Sequence, residues 1–472
     1  MNWLIIWIVL YLLLLIYLSL RHVKNTDMEQ YLVNNRNTKT LPLVATTMAT
    51  LVGGGASIGL MAMGYESGFA AVAIGIAHII GFFIIAKFAG KIRDFGAEHK
   101  IYSLPHYLNF IFGHEKQPGF SSFFAKAVSG VNIFIFFFMV AAQFVAMASL
   151  LKFSFEIGYN LAAVISAMIV IIYTAIAGLS GVIITDMIQF GAVIIMILLI
   201  FIPGIWADTE QLTRLSELDD SMIYGTKYGL IFIIALPVFF SWSVLVRMDI
   251  WQRLLAAKSA KIARRVTLWT AAGMLPFYLI FPLTGIAILL TMGDQIDPKY
   301  VAYLFIEKHA SSTPFIFGFA IVGLLSALMS SGDSFLNIIS ISAVKDFVKG
   351  NSKEALTQKD YNWMKYITVI FGAVALVMAL VFPNIVDLMV VSLSTITIFA
   401  PITLLALVKK NANQYRKAAL LSLSAGFIVN LFFFILGLTN PDIFEAKSSF
   451  VPGIIAGTLC LFIGMKFLKE EY

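Results

Sequence analysis

The sequence contains few charged residues and almost no cysteine. Only 12% of its 472 residues are Asp, Glu, Lys or Arg, whereas soluble domains carry about a quarter. This shortage of charge excludes an ordinary soluble globular protein. The single cysteine, Cys460, excludes an internal disulfide framework and a cysteine-rich metal site. No segment between the apolar runs is long enough to form a separate soluble domain.

Long apolar runs are abundant instead. Hydrophobic residues make up 60% of the chain, and the mean hydropathy is +0.90. An apolar run of about 17 to 20 residues crosses a bilayer as a helix, and the sequence contains thirteen such runs. They lie near residues 2–20, 41–64, 68–90, 121–151, 157–178, 181–205, 227–246, 266–292, 314–342, 363–382, 384–408, 417–437 and 450–468. The sequence therefore predicts an all-α, multi-pass protein of the cell membrane, with the lipid bilayer as a partner.

Positive charge is distributed unequally between the predicted loops. If the N-terminus is outside, six of the 33 Lys and Arg residues fall in outer loops and the other 27 fall on the inner side. The six are Lys152, Arg214, Lys227, Lys299, Lys308 and Lys447. This is the positive-inside pattern, so we expect an external N-terminus and a cytoplasmic C-terminus. The net charge of +7 then reflects topology, and no nucleic-acid partner is expected.

Two of the predicted spans contain helix-breaking residues. LVGGGASIG, residues 51–59, places three glycines in the second span, and IALPVFFSWS, residues 234–243, places Pro237 in the seventh. Interrupted membrane helices are tolerated where they line a cavity, and breaks at corresponding positions indicate a transporter built on inverted repeats. The alternative is close helix packing through glycine and a simple proline kink.

The spacing of the two breaks predicts two oppositely oriented sets of five helices. Spans 2–6 form one set and spans 7–11 form the other, with one helix before them and two after. The predicted regions are an N-terminal helix and cytosolic loop at residues 1–40, a first repeat at 41–207, a second repeat at 208–415, and two C-terminal helices at 416–472.

The stretch LMSSGDSFLN, residues 328–337, is polar within the apolar ninth span. At about 100° per residue one helix face collects the polar residues together with Ala327, namely Ser326, Ala327, Ser330, Ser331, Asp333, Ser334 and Asn337. Hydroxyls, a carboxylate and main-chain carbonyls are the hard oxygen ligands that replace water around Na⁺. The stretch predicts a cation site on a helix turned toward a protected interior. The alternative is that the serine hydroxyls bond back to their own helix.

A second acidic residue, Asp186, falls within the sixth span in SGVIITDMIQF. An ionisable group in the hydrocarbon region costs about 2.5 to 3.5 kcal/mol on insertion scales and indicates a functional site. Because no Lys or Arg is assigned to the middle of any span, we expect a bound cation or a proton to neutralise this carboxylate. The alternative is a hydrated position near the cytoplasmic end.

Several further residues are candidates for contact with a solute. Trp242, flanked by Ser241 and Ser243, follows the Pro237 break and could form an aromatic platform. His78 in the third span could contact the solute, carry a proton or be a packing group. Gln143 in the fourth span could instead bond to another helix.

Four motifs, found in this order, resemble the sodium:solute symporter family over nearly the whole chain. They are the broken second span followed by GYESG, then GLSGVIITDMIQF, WQRLLAAKSAKIARR and SALMSSGDSFLN. Members of the family include bacterial proline, pantothenate, sialic acid and sugar carriers. The resemblance implies the leucine-transporter fold, alternating access around a site between the two broken helices, and Na⁺ as the transported coupling ion. It implies no enzymatic activity.

The resemblance also implies which residues bind ions. The implied sodium site consists of the carbonyls of Ala49, Val52 and Ala327 and the hydroxyls of Ser330 and Ser331. A second site, present in some members, would here consist of Asp186, Ser330, Asp333 and Ser334. Several members carry Ser or Thr where this chain has Asp333. The extra carboxylate would either strengthen cation binding or hold a proton.

The identity of the solute does not follow from the resemblance. Sugar carriers place polar side chains where this chain has Ala56 and Phe240, choline carriers have Trp in place of Leu51, and a sialic-acid-like anion requires an Arg that the sequence does not place in a cavity. A small zwitterion or monocarboxylate is the preferred solute. The predicted contacts are Gly53, Gly55, Ala56, Ser57, His78, Gln143, Phe240, Ser241, Trp242 and Ser243.

Two other functions are compatible with the same sequence. A proton-coupled carrier of the same fold would use Asp186, Asp333 or His78 as its titrating group. A solute sensor is the second alternative. The sequence does not define the oligomeric state, and a monomer is compatible with it.

Overall fold

The computed structural model describes residues 2–22, 28–113, 117–350 and 356–470, and these residues form an all-α protein. The first part of the chain contains α1 Trp3–His22, α2 Met28–Val33, α3 Thr40–Leu51, α4 Leu60–Ser67, α5 Ala70–Glu98, α6 Leu104–Phe112 and α7 Pro118–Phe155. The middle contains α8 Tyr159–Met196, α9 Ile202–Asp208, α10 Asp220–Ile223, α11 Gly229–Ala235, α12 Trp242–Val246, α13 Met248–Ala256 and α14 Ala260–Met292. The last part contains α15 Val301–Ala310, α16 Pro314–Ile341, α17 Gln358–Val381, α18 Ile385–Ile396, α19 Ala400–Val408, α20 Arg416–Thr439 and α21 Phe450–Phe467.

Both spans that the sequence predicts to be broken are bent in the structure. Helix α3 meets the segment Gly55–Ser67 at 59°, and Phe232–Val246 meets α13 at 48°. Each break is accompanied by a π-helical turn, at Gly55–Gly59 and at Leu236–Phe240. π-helical turns inside longer helices are frequent at functional sites. The predicted break at the three glycines is therefore confirmed. In the second span the helix is irregular at Pro237, but the bend itself lies at Arg247, ten residues later than predicted.

The helices are long and apolar enough for a multi-pass membrane protein. Among the described residues, nine helices could cross a membrane, and eleven could if each bent pair forms one span. The fifth and sixth predicted spans differ from the prediction, because helical backbone continues from Tyr159 to Met196. Glycines such as Gly181 weaken a helix without ending it. The number of thirteen crossings therefore remains a prediction.

Helix α16 lies at the centre of the protein. In the segment Pro314–Val348, 78% of the most apolar 18-residue stretch is buried inside the protein, compared with 28% in Gln358–Val381. Every residue from 320 to 346 is buried, and α16 packs against α1, α7, α8 and α17. The polar stretch of the ninth span therefore faces protein on all sides, as its pattern predicts.

Helix α13 is folded into the protein although its sequence has the appearance of a loop. All nine of its residues are buried, and it packs against α2, α3, α5 and α16. A short backbone bridge fixes its end, since the Thr38 N–H donates to the Ala256 carbonyl at 3.1 Å and the Lys258 N–H donates to the Thr38 carbonyl at 3.0 Å. The charged residues of α13 therefore lie in the interior.

Candidate functional site

The break after α3 is held by one side chain of α7. The helix ends at Leu51, and the N–H of Gly54 donates to Oε1 of Gln143 at 2.8 Å. The carbonyl of Gly53 accepts from the N–H groups of Ala56 and Ser57. Gln143 therefore bonds to another helix, which was one of the two interpretations of this residue from sequence. It accepts a hydrogen bond from a backbone N–H that has lost its helical partner at the break.

Two of the three glycines at this break lie close to side chains of other helices. A Cβ atom on Gly53 would lie 1.9 Å from Oγ of Ser331, and a Cβ atom on Gly55 would lie 2.4 Å from Cε of Met389. The contact of Gly53 involves both Oγ and Cβ of Ser331, whereas that of Gly55 involves only the flexible end of Met389. Both distances are far below van der Waals contact. The triple glycine therefore allows α16 and α18 to approach the broken helix directly.

The structure brings the main parts of the predicted sodium site together. The hydroxyl of Ser331 donates to the carbonyl of Thr50 at 2.8 Å and lies 3.3 Å from the carbonyl of Ala327. Thr50 lies between Ala49 and Val52 in the chain, and both of these are buried. The end of α3 and the polar stretch of α16 thus meet where the resemblance implies a cation.

Ser330, the fifth predicted member of this site, is directed toward another group. Its hydroxyl donates to Oδ1 of Asp186 at 2.5 Å. The other carboxylate oxygen, Oδ2, accepts a very short hydrogen bond from the hydroxyl of Thr46. Ser330 therefore connects the predicted sodium site to the buried carboxylate of α8.

The prediction that no basic side chain neutralises Asp186 is wrong. Nη2 of Arg253, in α13, lies 3.5 Å from Oδ2 of Asp186. The same nitrogen donates to the hydroxyl of Ser334 at 2.7 Å and to that of Thr50 at 2.9 Å. Sequence reasoning assigned Arg253 to the inner loop, because it lies between the seventh and eighth predicted spans, at 227–246 and 266–292. Its flanking Trp251 and Leu254 are the signal for burial that could have identified it.

Arg253 occupies much of the predicted second sodium site. Two of the four members of that site, Asp186 and Ser334, already contact its guanidinium. Asp333 is directed elsewhere, since its Oδ2 accepts from the hydroxyl of Tyr173 at 2.8 Å. Its Oδ1 has no hydrogen-bond partner among the residues that the structure describes. The buried cluster thus contains two carboxylates and one guanidinium, which pairs only with Asp186, and its net charge is −1 when both carboxylates are ionised.

A cavity of about 160 Å³ lies beside the broken helix. Six of the ten predicted solute contacts line it, namely Gly53, Gly55, Ala56, His78, Gln143 and Phe240. Thr50 and Ser331 also line it. The cavity and the predicted sodium site therefore share a wall.

The remaining four predicted contacts are not among the residues that line the cavity. The hydroxyls of Ser57 and Ser241 bond back to the carbonyls of Gly53 and Pro237, at 3.0 and 2.7 Å. The indole N–H of Trp242 donates to the carbonyl of Val238 at 3.0 Å. Ser243 is buried without lining the cavity. The first three donors are thus bonded within their own helices, whereas the hydroxyl of Ser243 has no hydrogen-bond partner among the described residues. Trp242 does not line the cavity.

Sequence reasoning missed the charged residues of the cavity. Arg247 lines it, so the expectation that the cavity lacks an arginine is wrong. Nη2 of Arg247 forms an ion pair of 2.7 Å with Oδ2 of Asp249. Glu66 and Lys447 also line the cavity and lie 4.0 Å apart. Arg247 directly follows the apolar span that contains Pro237. This position in the sequence could have indicated that its side chain lines the cavity.

Comparisons with known proteins concern the sequence and the fold as a whole. The sequence model of the sodium:solute symporter family matches residues 31–426. The chain is 24% identical to the sodium/proline symporter of Staphylococcus aureus over 497 aligned positions, which cover 99% of this chain and 94% of the relative. It superposes on a substrate-bound, outward-open Na⁺-coupled sialic acid symporter with a TM-score of 0.76, 19% identity and 99% coverage of both chains. A transporter of the nucleobase-cation-symport-1 family gives a TM-score of 0.55 at 14% identity, with 94% and 96% coverage.

Proposed function

Because the chain belongs to the sodium:solute symporter family, a family of membrane transporters rather than enzymes, we propose that it imports a small organic solute together with Na⁺ by alternating access. One observation carries the proposal. The hydroxyl of Ser331 meets the carbonyl of Thr50 at 2.8 Å, and both residues also line the solute cavity. A cation held between α3 and α16 would therefore change the same wall that the solute contacts.

The proposed sodium site consists of the carbonyls of Ala49, Val52 and Ala327 with the hydroxyls of Ser330 and Ser331. These groups are uncharged oxygen ligands. Carbonyl and hydroxyl oxygens suit Na⁺ because they can replace the water molecules of its hydration shell. The nearby carboxylate of Asp186, bonded to Ser330 at 2.5 Å, adds negative charge behind the site. The site thus combines oxygen ligands with an electrostatic attraction for a monovalent cation.

The charge of the buried cluster supports the transport of one sodium ion in each cycle. Asp186 and Asp333 contribute two negative charges and Arg253 contributes one positive charge, and all three side chains are buried. One bound Na⁺ makes this cluster neutral, whereas a second would leave an excess positive charge in a region of low dielectric. We therefore propose that Arg253 takes the place of a second sodium ion.

A proton on Asp333 would neutralise the same cluster, and this supports a proton-coupled carrier as the second candidate. The observation that favours it is the unpaired Oδ1 of Asp333. Uptake driven by a pH gradient in sodium-free buffer would support proton coupling. Uptake that requires a sodium gradient at equal pH on both sides would contradict it.

The finer architecture is part of the proposal. Residues 41–207 and 208–415 form two inverted five-helix repeats, preceded by residues 1–40 and followed by residues 416–472, and the N-terminus is outside. The sialic acid symporter shares the fold, and each of the two proposed repeats contains one bent helix pair. The cavity mouth at Glu66 and Lys447 would then face outward.

Coupling follows from the shared wall. A sodium ion that draws the end of α3 to α16 favours the conformation in which the cavity accepts solute, and the solute must tighten sodium binding by the same factor. The low cytosolic Na⁺ concentration then favours ion release after the protein opens inward. The solute class that we propose, an amino acid or a small carboxylate, agrees with the proline symporter among the relatives.

Reconstituted vesicles test the proposal directly. Radiolabelled amino acids and organic acids are offered in an external bath of NaCl, KCl or choline chloride, with potassium inside. We expect accumulation above the external concentration only in NaCl, and loss of accumulation when a sodium ionophore dissipates the gradient. Equal uptake in all three baths would overturn sodium symport.

A further inference from the structure

We propose that Arg247 anchors the carboxylate group of the transported solute, so that the substrate is a small monocarboxylate with an apolar body. This inference rests on the proposed function, because it names the chemical class that the same cavity accepts. Its physical basis is a buried guanidinium in the cavity wall whose hydrogen-bonding groups are only partly used.

The position of Arg247 is the first argument. It is the single residue between α12 and α13, where the second broken span bends by 48°. Its backbone is extended, with φ −71° and ψ 118°, and the residue is only 5% exposed. A charged side chain at such a break is costly to bury, and a packing role alone does not require an arginine there.

Its hydrogen bonds are the second argument. Asp249 accepts from Nε at 3.0 Å and from Nη2 at 2.7 Å, which occupies one edge of the guanidinium. Nη1 has no hydrogen-bond partner among the described residues. A guanidinium carries five N–H donors in a planar fork that matches a carboxylate. A solute carboxylate would complete the set of bonds that Asp249 begins.

Two neighbouring side chains supply further polar groups in the same wall. The hydroxyl of Tyr278 lies 3.1 Å from Nδ1 of His78, and both residues line the cavity with Arg247. Nε2 of His78 is buried without a hydrogen-bond partner in the described part of the chain. The ring of His78 also packs against that of Phe240, with centroids 5.3 Å apart. The polar groups of His78 and Tyr278 therefore lie beside the apolar ring of Phe240 in the cavity wall.

The charge and polarity of the lining select a monocarboxylate over other anions. The other Lys or Arg in the lining is Lys447, at the mouth, and Glu66 lies 4.0 Å from it. A dicarboxylate or a phosphate would bring a second negative charge into a cavity whose Arg247 already pairs with Asp249, which is unfavourable. The apolar side chains of the lining, Leu236, Phe240, Met389 and Phe450, fit the body of the solute.

The test uses the purified full-length protein and a charge-balanced double variant. Arg247→Gln combined with Asp249→Asn removes the guanidinium and its partner together, so no uncompensated buried charge remains. The probes are propionate, benzoate and L-proline, each beside its own carboxamide, with glucose, uracil and choline as solutes without a carboxylate. The control is Arg214→Gln with Glu217→Gln, which removes an exposed ion pair of 2.9 Å outside the cavity.

The readout is the midpoint of thermal unfolding with and without Na⁺, followed by titration of each stabilising probe. We expect at least one carboxylate to stabilise the wild type and the control, while its carboxamide does not. In the Arg247/Asp249 double variant the carboxylate should bind about tenfold or more weakly, as loss of a hydrogen bond to a charged group predicts. The sodium-induced shift without solute should be unchanged.

The inference is overturned if the double variant keeps the preference for the carboxylate, or if no carboxylate probe stabilises the wild type. The result also separates the two proposals. Carboxylate binding that is the same with and without Na⁺ would contradict symport and leave the role of Arg247 intact. Sodium-driven uptake of glucose, uracil or choline would contradict the role of Arg247 and leave symport intact.

Discussion

The guanidinium of Arg253 lies 3.5 Å from the carboxylate of Asp186, and these side chains are 1% and 0% exposed. Arg253 lies in α13, which follows the bend of the second broken span, and Asp186 lies in the long helix α8. Their contact connects the second broken span to the polar face of α16, because Arg253 also donates to Ser334 at 2.7 Å. The predictions below follow from this cluster and from the cavity beside it.

Removal of Arg253 alone should destabilise the protein strongly. Arg253→Gln leaves Asp186 as an unpaired buried carboxylate, and breaking a buried ion pair on one side costs about 3 to 5 kcal/mol. The double variant Arg253→Gln with Asp186→Asn should recover most of this loss, because it removes the carboxylate that Arg253 contacts and restores the wild-type net charge of the cluster, in which Asp333 remains. Thermal or denaturant unfolding in detergent measures both variants. If both were equally destabilised, the pair would contribute through packing rather than charge.

Sodium should partly compensate for the loss of Arg253. A cation can enter the cluster when the guanidinium is absent, so the unfolding midpoint of Arg253→Gln should rise more steeply with NaCl than that of the wild type. KCl at the same ionic strength is the control. Equal responses to the two salts would indicate that Na⁺ does not bind near Asp186.

Removal of the hydroxyls of the proposed sodium site should weaken sodium binding. Ser331→Ala and Ser330→Ala each delete one oxygen ligand, and the Na⁺ concentration for half-maximal uptake should rise about tenfold, equal to about 1.4 kcal/mol. Ser340→Ala is the matched control, because its hydroxyl bonds to the carbonyl of Asn337 in the same helix. Unchanged sodium dependence in well-folded Ser331→Ala would remove this residue from the site.

A methyl group at the glycine break should separate the helices that form the site. In Gly53→Ala the new Cβ would lie 1.9 Å from Oγ of Ser331, so α3 and α16 must move apart, and overpacking of this kind costs about 1 to 3 kcal/mol. We expect loss of sodium-driven uptake. Gly191→Ala is the control, since no heavy atom lies within 4 Å of its Cβ position. Full transport by Gly53→Ala would show that the close approach is not needed.

The cavity lining should govern solute affinity more than the predicted aromatic platform does. Trp242 donates to a carbonyl of its own helix and does not line the cavity, so Trp242→Phe should change the KM of uptake little. Phe240 lines the cavity, and Phe240→Ala should raise the KM by removing apolar contact. A larger effect at Trp242 than at Phe240 would favour the original sequence-based prediction.

Much of the fold was predictable from sequence, because its signals are local. The apolar runs, the glycines at 53–55 and Pro237 are all features of short stretches of chain. The first bend lies at the glycines, as predicted. At Pro237 the structure has a π-helical turn, and the second bend follows ten residues later, at Arg247. The polar face of α16 was likewise readable from helical periodicity. These features required no knowledge of which helices pack together.

The partners of the buried charges were not predictable in the same way. Arg253 reaches Asp186 across 67 residues of chain, and Arg247 enters the cavity wall only because α13 folds back into the protein at the second break. Sequence by itself determined which segments are apolar, where the helices break and where oxygen-rich faces occur. Only the tertiary structure decided that a guanidinium accompanies Asp186 and that another lines the cavity beside the broken helix. The physical reason is that neutralisation of a buried charge depends on distance in space, and helix packing brings together residues whose separation along the chain carries no signal.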